Sequence, residues 1–442
     1  MLLNAADKAL WRLALPMIFS NITVPLLGLV DTAVIGHLDS PVYLGGVAVG
    51  ATATSFLFML LLFLRMSTTG LTAQAWGAKD PQRLARALVQ PLALALALAL
   101  GAGVLIILLR LPLIDLALHI VGGSEAVLEQ ARRFLEIRWL SAPASLANLV
   151  LLGWLLGVQY ARAPVILLVV GNLLNIVLDL WLVMGLRMNV QGAALATVTA
   201  EYATLIIGLL MAKRVLTLRG VSLAMLKNAW RGDLRRLLAL NRDIMLRSLL
   251  LQLCFGALTV FGARLGSDIV AVNAVLMTML TFTAYALDGF AYAVEAHSGQ
   301  AYGARDGSQL LEVWRAACRQ SGMVALAFAL IYSLAGQYII ALLTSLPSLQ
   351  QLADRYLIWQ TILPVVGVWC YLLDGMFIGA TRGAEMRNSM AVAAAGFAVT
   401  LLTLPVLGNH GLWLALAVFL ALRGLSLALI WRRHWRRGTW FS

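Results

Sequence analysis

Long apolar runs separated by short polar loops make up most of the chain. Each run holds about 20 residues, the length at which an α-helix crosses the hydrocarbon core of a bilayer. Because a lipid-exposed backbone must satisfy its own hydrogen bonds, we expect an all-α integral membrane protein. The pattern predicts twelve transmembrane helices, at 12–37, 43–68, 86–110, 131–153, 163–185, 190–213, 238–262, 268–293, 316–343, 354–377, 388–407 and 411–431.

The second half of the chain repeats motifs of the first half. The motif QAWGAKD at 74–80 returns as QAYGARD at 300–306, each time after two long apolar runs. LALP at 13–16 likewise returns as LALN at 238–241. Duplicated hydrophobic bundles are common in secondary transporters, in which two similar bundles rock about a central cleft. The repeat therefore predicts two related lobes and favours a transport function.

One long polar connection divides six predicted spans from the other six. We therefore expect an N-terminal lobe at 1–213, a cytoplasmic linker at 214–237 and a C-terminal lobe at 238–442. Because each half holds an even number of spans, both halves enter the membrane from the same side. The two lobes are then related by an axis along the membrane normal.

Composition and charge exclude several other classes of protein. With 61% hydrophobic and 12% charged residues, the chain has too much apolar surface for a water-soluble fold. The net charge of +13 comes mainly from Lys and Arg in the loops after even-numbered spans and behind span twelve. This bias predicts cytoplasmic termini, and we expect no nucleic-acid partner. The prediction is a monomeric multi-pass protein of the bacterial cytoplasmic (inner) membrane, surrounded by the lipid bilayer.

The sequence gives no sign of a cofactor, a metal site or an enzyme active site. Its three cysteines are far apart, in or beside apolar spans, and its five histidines share no metal-ligand spacing. It also lacks the phosphate-binding loop Gly-x-x-x-x-Gly-Lys-Ser/Thr, so nucleotide hydrolysis is not expected. An ion gradient must then drive any uphill transport.

Ionisable residues inside a membrane span are functional candidates, because burying their charge in the bilayer is costly. Asp31 lies seven residues before Leu38, at the outer end of span one, and Asp179 lies seven residues before Leu186, at the outer end of span five. Thr197 lies seven residues into span six. All three are therefore expected at a depth of roughly 10 Å. Asn175 precedes Asp179 by four residues and shares its helix face. If spans one, five and six are neighbours, these four side chains form one site.

Further polar positions in the spans are secondary candidates. Asn172 lies on the same stripe as Asn175, and Pro16 invites a kink in span one. Asp288 and Asp374 come near the predicted cytoplasmic ends of their spans, where we expect interface charges that are solvated, paired or in the inward mouth. The complete secondary set is Pro16, Asn172, Glu201, Asp288 and Asp374.

The acidic cluster is confined to the first repeat. At the repeat offset, Asn175 and Asp179 correspond to Ala394 and Ala398. A buried carboxyl group beside a second carboxylate can take up a proton on one side of the membrane and release it on the other. Carboxylate, amide and hydroxyl oxygens are equally suited to Na⁺, since hard cations prefer oxygen ligands. Both coupling ions stay open at this point.

The chain carries, in this order, Pro16, VDTAVIG at 30–36, QAWGAKD at 74–80 with its repeat, NLLNIVLD at 172–179 and QGAALAT at 191–197. These motifs resemble those of the multidrug and toxic compound extrusion (MATE) family, in particular its DinF-type branch. The resemblance covers essentially the whole chain. It implies two six-helix bundles that form a V-shaped central cleft, and antiport of organic compounds against H⁺ or Na⁺.

The resemblance also implies roles for individual residues. Asp31, Asn175, Asp179 and Thr197 resemble the cation-coupling cluster of the family, and Pro16 resembles the proline whose kink is linked to that cluster. Some Na⁺-coupled relatives carry an acid in span ten, where this chain has Asp374, and pair it with an acid in span seven. Span seven here has no acid beyond Asp243 at its start, which favours H⁺.

These observations predict a secondary active efflux antiporter that exports amphipathic or cationic organic compounds in exchange for H⁺. Asp31 is the predicted proton-carrying acid, and Asp179, Asn175 and Thr197 complete its site. A Na⁺-coupled MATE exporter is one alternative. A lipid-linked oligosaccharide flippase of related architecture is another, but it would need several buried basic residues, and only Arg65 and Arg247 are candidates. A passive channel or a membrane-embedded enzyme fits the pattern less well.

Overall fold

The computed structural model describes residues 5–36, 43, 46–47, 50, 54, 61–121, 125–232 and 234–441, with the side chains of 23–36, 103 and 105–121 outside this description. Every regular element within these residues is a helix, which confirms the all-α fold class. The described chain divides into two compact units, Ile22–Leu237 and Met1–Asn21 with Leu238–Ser442. The lobe and linker boundaries expected from the sequence stay a prediction.

Among the described residues, seven long helices precede the connection between the two halves of the sequence and six follow it. A 3₁₀ turn at Trp139–Ser141 joins the fourth to the fifth, and a wider π-helical turn at Leu180–Gly185 follows the sixth. A short helix, Leu223–Asn228, lies in the connection itself. The long helices are α1 (Ala5–Gly36), α2 (Phe63–Gly77), α3 (Pro81–Val121), α4 (Glu125–Arg138), α5 (Ala142–Gly157), α6 (Ala163–Asp179) and α7 (Asn189–Leu218).

Six long helices follow the connection. Between the last two lie a 3₁₀ turn, Leu401–Thr403, and a short helix, Leu404–Leu407. The long helices are α8 (Leu234–Leu265), α9 (Ser267–Gly303), α10 (Gly307–Leu343), α11 (Pro347–Gly379), α12 (Gly383–Thr400) and α13 (Asn409–Arg437).

The described residues contain ten candidate spans that are long and apolar enough to cross a membrane. They correspond to predicted spans three to twelve, and α1 covers span one, whereas half of span two (43–68) lies outside the described residues. Several helices extend beyond the predicted span. For example, α9 runs to Gly303 although its span was expected to end at 293, because the repeated motif at 300–306 begins inside the helix.

The repeated motif forms a helix end followed by a helix cap. Lys79 and Arg305 occupy the same position of the two copies, and both have φ of 53°, a left-handed conformation that stops a helix. The aspartate that follows then caps the next helix: Asp80 Oδ1 accepts a hydrogen bond from the Arg83 backbone N–H, and Asp306 Oδ1 accepts one from Gln309. Local chain geometry thus accounts for this part of the duplication.

Matching glycines bring equivalent helices together in each unit. A Cβ atom added at Gly153 of α5 would lie 2.5 Å from the carbonyl oxygen of Arg65 in α2. The same addition at Gly375 of α11 would lie 2.7 Å from the carbonyl oxygen of Ala291 in α9. Small residues allow membrane helices to approach closely. The contact between α5 and α2 in one unit therefore has an equivalent between α11 and α9 in the other.

The first half of α1 packs on α9 and α10. The rings of Trp11 and Phe290 lie 5.7 Å apart, and His297 Nε2 lies 3.2 Å from the Ala9 carbonyl oxygen. Arg319 of α10 forms a 2.9 Å ion pair with Asp7. These contacts explain why residues before Ile22 belong to the unit that contains α8 to α13.

Candidate functional site

Helix α6 carries two of the predicted coupling residues on its buried side. Asn175 and Asp179 are 2% and 1% exposed, whereas Val169, Leu173 and Val177 are exposed. An apolar exposed face with polar groups turned inward is the expected arrangement for a helix that is surrounded by lipid. The four-residue spacing therefore places a carboxamide and a carboxyl group side by side in the interior of one unit.

The Asn175 side chain has an unused acceptor. Its Oδ1 atom is buried and has no hydrogen-bond partner among the described residues. Buried polar atoms in folded proteins nearly always have a partner, because an unsatisfied one costs about 1–3 kcal/mol. A buried oxygen atom that lacks a donor and lies beside an acid can accept a hydrogen bond from the protonated carboxyl group, or it can coordinate a cation.

The π-helical turn follows Asp179 directly and connects it to α7. The Leu182 carbonyl oxygen accepts a 2.9 Å hydrogen bond from the Met188 backbone N–H, which closes the link between the two helices. A Cβ atom at Gly192 would lie 3.1 Å from the same Leu182 carbonyl group, so α7 begins in close contact with the turn. Turns of this kind are frequent at functional sites, where they change the direction of a side chain within a helix.

Thr197 lies on α7, the helix that packs against α6. Its side chain is half-buried, and Oγ1 donates a 3.1 Å hydrogen bond to the Ala193 carbonyl oxygen in the preceding turn. Since the hydroxyl hydrogen is used within α7, the lone pairs of Oγ1 can face a proton donor or a cation. The structure thus brings the helices of Asn175, Asp179 and Thr197 together.

The other residues expected near this cluster are placed as follows. Asp31 lies within α1, but its side chain is outside the described residues, so its place in the cluster stays a prediction. Pro16 is half-buried in α1, which is continuous from Ala5 to Gly36. Asn172 is half-buried on α6, one turn before Asn175.

Glu201 is held by polar groups from two neighbouring helices. Arg138 of α4 binds both carboxylate oxygens, with its two guanidinium nitrogens at 2.7 and 3.1 Å. The Ser145 hydroxyl donates to the same carboxylate, and Asn148 of α5 donates to the Glu201 backbone carbonyl at 3.1 Å. A bidentate pair of this kind fixes geometry, so this acid joins α4, α5 and α7.

Asp374 occupies a buried ion cluster in the other unit. Its Oδ2 atom accepts a 2.7 Å hydrogen bond from Arg247 of α8 and a second one from Arg423 of α13. The exposed fractions of the three side chains lie between 5% and 10%. Two guanidinium groups thus share one carboxylate, so its negative charge is already compensated. Asp288 is half-buried on α9 of the same unit.

Three arginines hold these two acids, and sequence reasoning missed two of them. Arg423 interrupts the apolar run at 411–431, and Arg138 interrupts the one at 131–153. An arginine inside an apolar run is itself a signal, because a buried cation requires an anionic partner. Their partners, Asp374 and Glu201, could not be inferred from spacing.

Comparison with known proteins identifies the family of this fold. A protein-family model described as MatE matches residues 16–181 and 244–407. The DNA damage-inducible protein F of Escherichia coli is 87% identical over 440 residues, which span 100% of this chain and 95% of that protein. A probable multidrug resistance protein NorM of Acinetobacter baylyi is 23% identical, covering 96% of this chain and 94% of the relative.

Solved structures share the fold over nearly the whole chain. A crystal structure of MATE in the bent conformation covers 98% of this chain and 96% of its own, with a TM-score of 0.84 and 23% identity. The outward-facing conformation of a multidrug resistance MATE family transporter has a TM-score of 0.81 at 23% identity and the same coverage. At this identity the similarity establishes the fold alone.

Proposed function

Because this chain belongs to the MatE family of membrane transporters, we propose that it exports amphipathic or cationic organic compounds by alternating access in exchange for protons. The names of two relatives that align with most of this chain support the proposal. The Acinetobacter baylyi and Bacillus subtilis proteins are both described as probable multidrug resistance proteins, and each matches more than 90% of this chain.

One observation carries the proposal: a buried carboxyl group and an unsatisfied carboxamide oxygen lie on the same face of α6. Asp179 is 1% exposed, and Asn175 Oδ1 lacks a donor among the described residues. A proton bound at Asp179 removes a buried charge and supplies an O–H group that the neighbouring carboxamide oxygen can accept. In this proposal Asp31 of α1, the acid that the sequence predicts to carry the proton, shares it with Asp179, and Thr197 supplies a further oxygen from α7.

Proton exchange at this site can supply the work of export. One charge that crosses a membrane potential of 100 mV contributes about 2.3 kcal/mol. This corresponds to roughly a fiftyfold concentration gradient of a neutral solute, because each 1.4 kcal/mol is a factor of ten. A cationic substrate that competes for the Asp179 carboxylate would displace the proton, which couples the two movements.

Sodium is the second candidate for the coupling ion. The oxygen atoms of Asn175, Asp179 and Thr197 are suitable ligands for a hard cation. Asp374 is a poor candidate for a second sodium site, since Arg247 and Arg423 already compensate its charge. This compensation supports coupling through the unit that contains α6 and α7, and the experiment below tests the two ions separately.

The flippase alternative receives less support from the buried basic residues. A pyrophosphate-bearing substrate requires several arginine or lysine side chains that are available to it. Arg247 and Arg423 are both bound to Asp374, and Arg65 NH1 donates to Thr69 Oγ1 at 3.3 Å. We therefore retain export of organic compounds as the proposed function, with the protein in the bacterial inner membrane as a monomer and both termini cytoplasmic.

Reconstitution into liposomes tests the proposal. Wild-type protein should drive efflux of a fluorescent organic cation when ΔpH is imposed, and ΔNa⁺ alone should not. Asp179→Asn keeps the size and hydrogen-bonding capacity of the side chain but cannot carry a proton, so ΔpH-driven efflux should fall to the level of protein-free vesicles. Asp354→Asn removes an exposed acid that accepts a hydrogen bond from Gln337 at 3.0 Å, and this variant should transport normally. Unchanged efflux by Asp179→Asn would rule out this site.

A further inference from the structure

The unit Ile22–Leu237 contains a basic cavity of about 670 Å³ that the proposed transport function does not use. It is enclosed by the end of α2, the loop from α5 to α6 and the end of α7. Trp76 and Tyr160 line it together with Arg162, Arg214 and Arg219. The cavity thus joins the repeated motif at 74–80, the loop after span four and the start of the connection between the lobes.

An aromatic ring holds one of the arginines in place. The guanidinium carbon of Arg219 lies 3.6 Å from the centroid of the Trp76 ring, a close cation–π contact. A left-handed residue, Gln159 with φ of 63°, ends α5 and turns the chain so that Tyr160 and Arg162 face the same space. One arginine of the cavity is therefore held by an aromatic ring, and a turn of the backbone sets the position of two further lining residues.

The positive charge of the cavity is not compensated. Arg162, Arg214 and Arg219 are exposed at the surface, and none of the three pairs with a carboxylate of the described residues. The remaining wall is mostly apolar, with Val158, Val215 and Leu218 among its members, and no acidic residue lines it. Arginine forks above an apolar wall suit a phosphate group that is attached to a hydrocarbon.

In the second unit, the elements that correspond to the cavity walls contact another part of the same chain. There the end of the chain follows α13 and packs on Tyr302, the counterpart of Trp76, with ring centroids of Trp440 and Tyr302 6.3 Å apart. Arg382, in the loop after α11, donates to the carbonyl oxygens of Thr439 and Trp440 at 2.9 and 2.8 Å. In the second unit, therefore, the aromatic residue contacts an apolar group and the arginine binds acceptor oxygens.

We propose that the cavity of the first unit binds the phosphate headgroup of an anionic phospholipid. In the first unit the chain continues from α7 into the short helix Leu223–Asn228. The hydrogen-bond acceptor for the three arginines would then come from another molecule. Basic pockets between transmembrane helices on the cytoplasmic side are typical sites for anionic lipid headgroups, and the sequence places this end of α2, α5 and α7 on that side. Trp76 and Tyr160 are consistent with a position at the level of the lipid headgroups, since both types of ring prefer the membrane interface.

Native mass spectrometry of the full-length protein in a neutral detergent tests the proposal. Phosphatidylglycerol and phosphatidylcholine are titrated separately, and the fraction of protein with one bound lipid is measured. Wild-type protein should bind phosphatidylglycerol at least tenfold more tightly than phosphatidylcholine. The loss of one charge-assisted hydrogen bond weakens binding about tenfold, so Arg162→Ala with Arg214→Ala should weaken binding about a hundredfold.

Two further variants separate the cavity from general surface charge. Arg432→Ala with Arg433→Ala removes two exposed arginines from the end of α13 and should leave phosphatidylglycerol binding unchanged. Ala161→Trp keeps all three arginines but places a large ring inside the cavity, where it competes with the headgroup for space, so it should bind phosphatidylglycerol more weakly than the wild type. This second variant also decides the question if removal of the arginines prevents folding.

Three results would overturn the proposal. The first is equal retention of phosphatidylcholine and phosphatidylglycerol by the wild type. The second is normal phosphatidylglycerol binding by Ala161→Trp. The third is displacement of phosphatidylglycerol by inorganic phosphate at equal concentration, which would assign the cavity to a soluble phosphate compound. None of these measurements involves transport, so they are independent of the proposed export function.

Discussion

The buried cluster of Arg247, Asp374 and Arg423 allows a quantitative prediction about the unit that contains it. Asp374→Asn removes the carboxylate and leaves two guanidinium groups buried beside each other. Two unit charges 4 Å apart interact by about 4 kcal/mol at an effective dielectric constant of 20. Breaking a buried pair by removing one partner typically costs about 3–5 kcal/mol, and we expect a loss of stability in that range.

Removal of one arginine should have a smaller effect than removal of the acid. Arg423→Met leaves a neutral pair, Arg247 with Asp374, joined by the 2.7 Å hydrogen bond. Methionine fills a similar volume, and replacing a buried charge by an apolar group is often neutral. The double variant, Asp374→Asn with Arg423→Met, should therefore be more stable than Asp374→Asn alone, because only one buried cation remains.

A thiol-reactive fluorogenic dye can measure this order of stabilities during heating. All three cysteines lie in the same unit as the cluster, and Cys254 and Cys370 are buried until it unfolds. A loss of 3–5 kcal/mol in a unit of about 200 residues corresponds to a fall in Tm of roughly 10 °C. Asp354→Asn is the control and should shift Tm by less than about 2 °C, since exposed substitutions change stability little. If Arg423→Met proved as damaging as Asp374→Asn, charge balance would not explain the cluster.

Three further predictions concern contacts within single units. Glu201→Gln weakens the bidentate pair with Arg138 and should cost about 1–3 kcal/mol, seen as earlier loss of the folded-protein peak in size-exclusion chromatography after heating; an unchanged profile would contradict the role of this pair. Gly375→Ala forces a methyl group against a carbonyl oxygen of α9 and should cost about 1–3 kcal/mol in the thiol-dye assay, with wild-type Tm as the contradicting result. Trp440→Ala removes a buried ring that packs on Tyr302 and should cost about 3–5 kcal/mol in the same assay. Tyr302→Phe retains the ring contact and serves as its control.

The helical architecture could be predicted because a bilayer leaves few alternatives. A run of about 20 apolar residues must form a helix to satisfy its backbone, so the all-α class followed from hydropathy and is confirmed. The helix ends were harder to predict. Lys79 and Arg305 end their helices through a left-handed conformation, and the side chains at these positions do not require it.

Spacing along a helix predicted faces but could not predict neighbours. Asn175 and Asp179 were placed on one face of α6, and both are buried. The partners of Asp374 lie 127 and 49 residues away, on helices whose packing order is a property of the tertiary fold. Hydropathy gives the depth of a residue in the membrane, but the identity of the adjacent helix depends on contacts such as the one at Gly153. Charge pairs between helices therefore require a structure.

The contacts of the first half of α1 have a consequence for the order of events during synthesis. Ala9 and His297 are separated by 288 residues, and Asn21 and Tyr285 by 264. At a translation rate of 5–20 residues per second, about 15–60 s pass between the emergence of this segment from the ribosome and that of its partners. During this interval other surfaces must shield the polar groups of the segment. A nascent chain that stops before α9 would leave Trp11 and Asp7 without the residues that cover them.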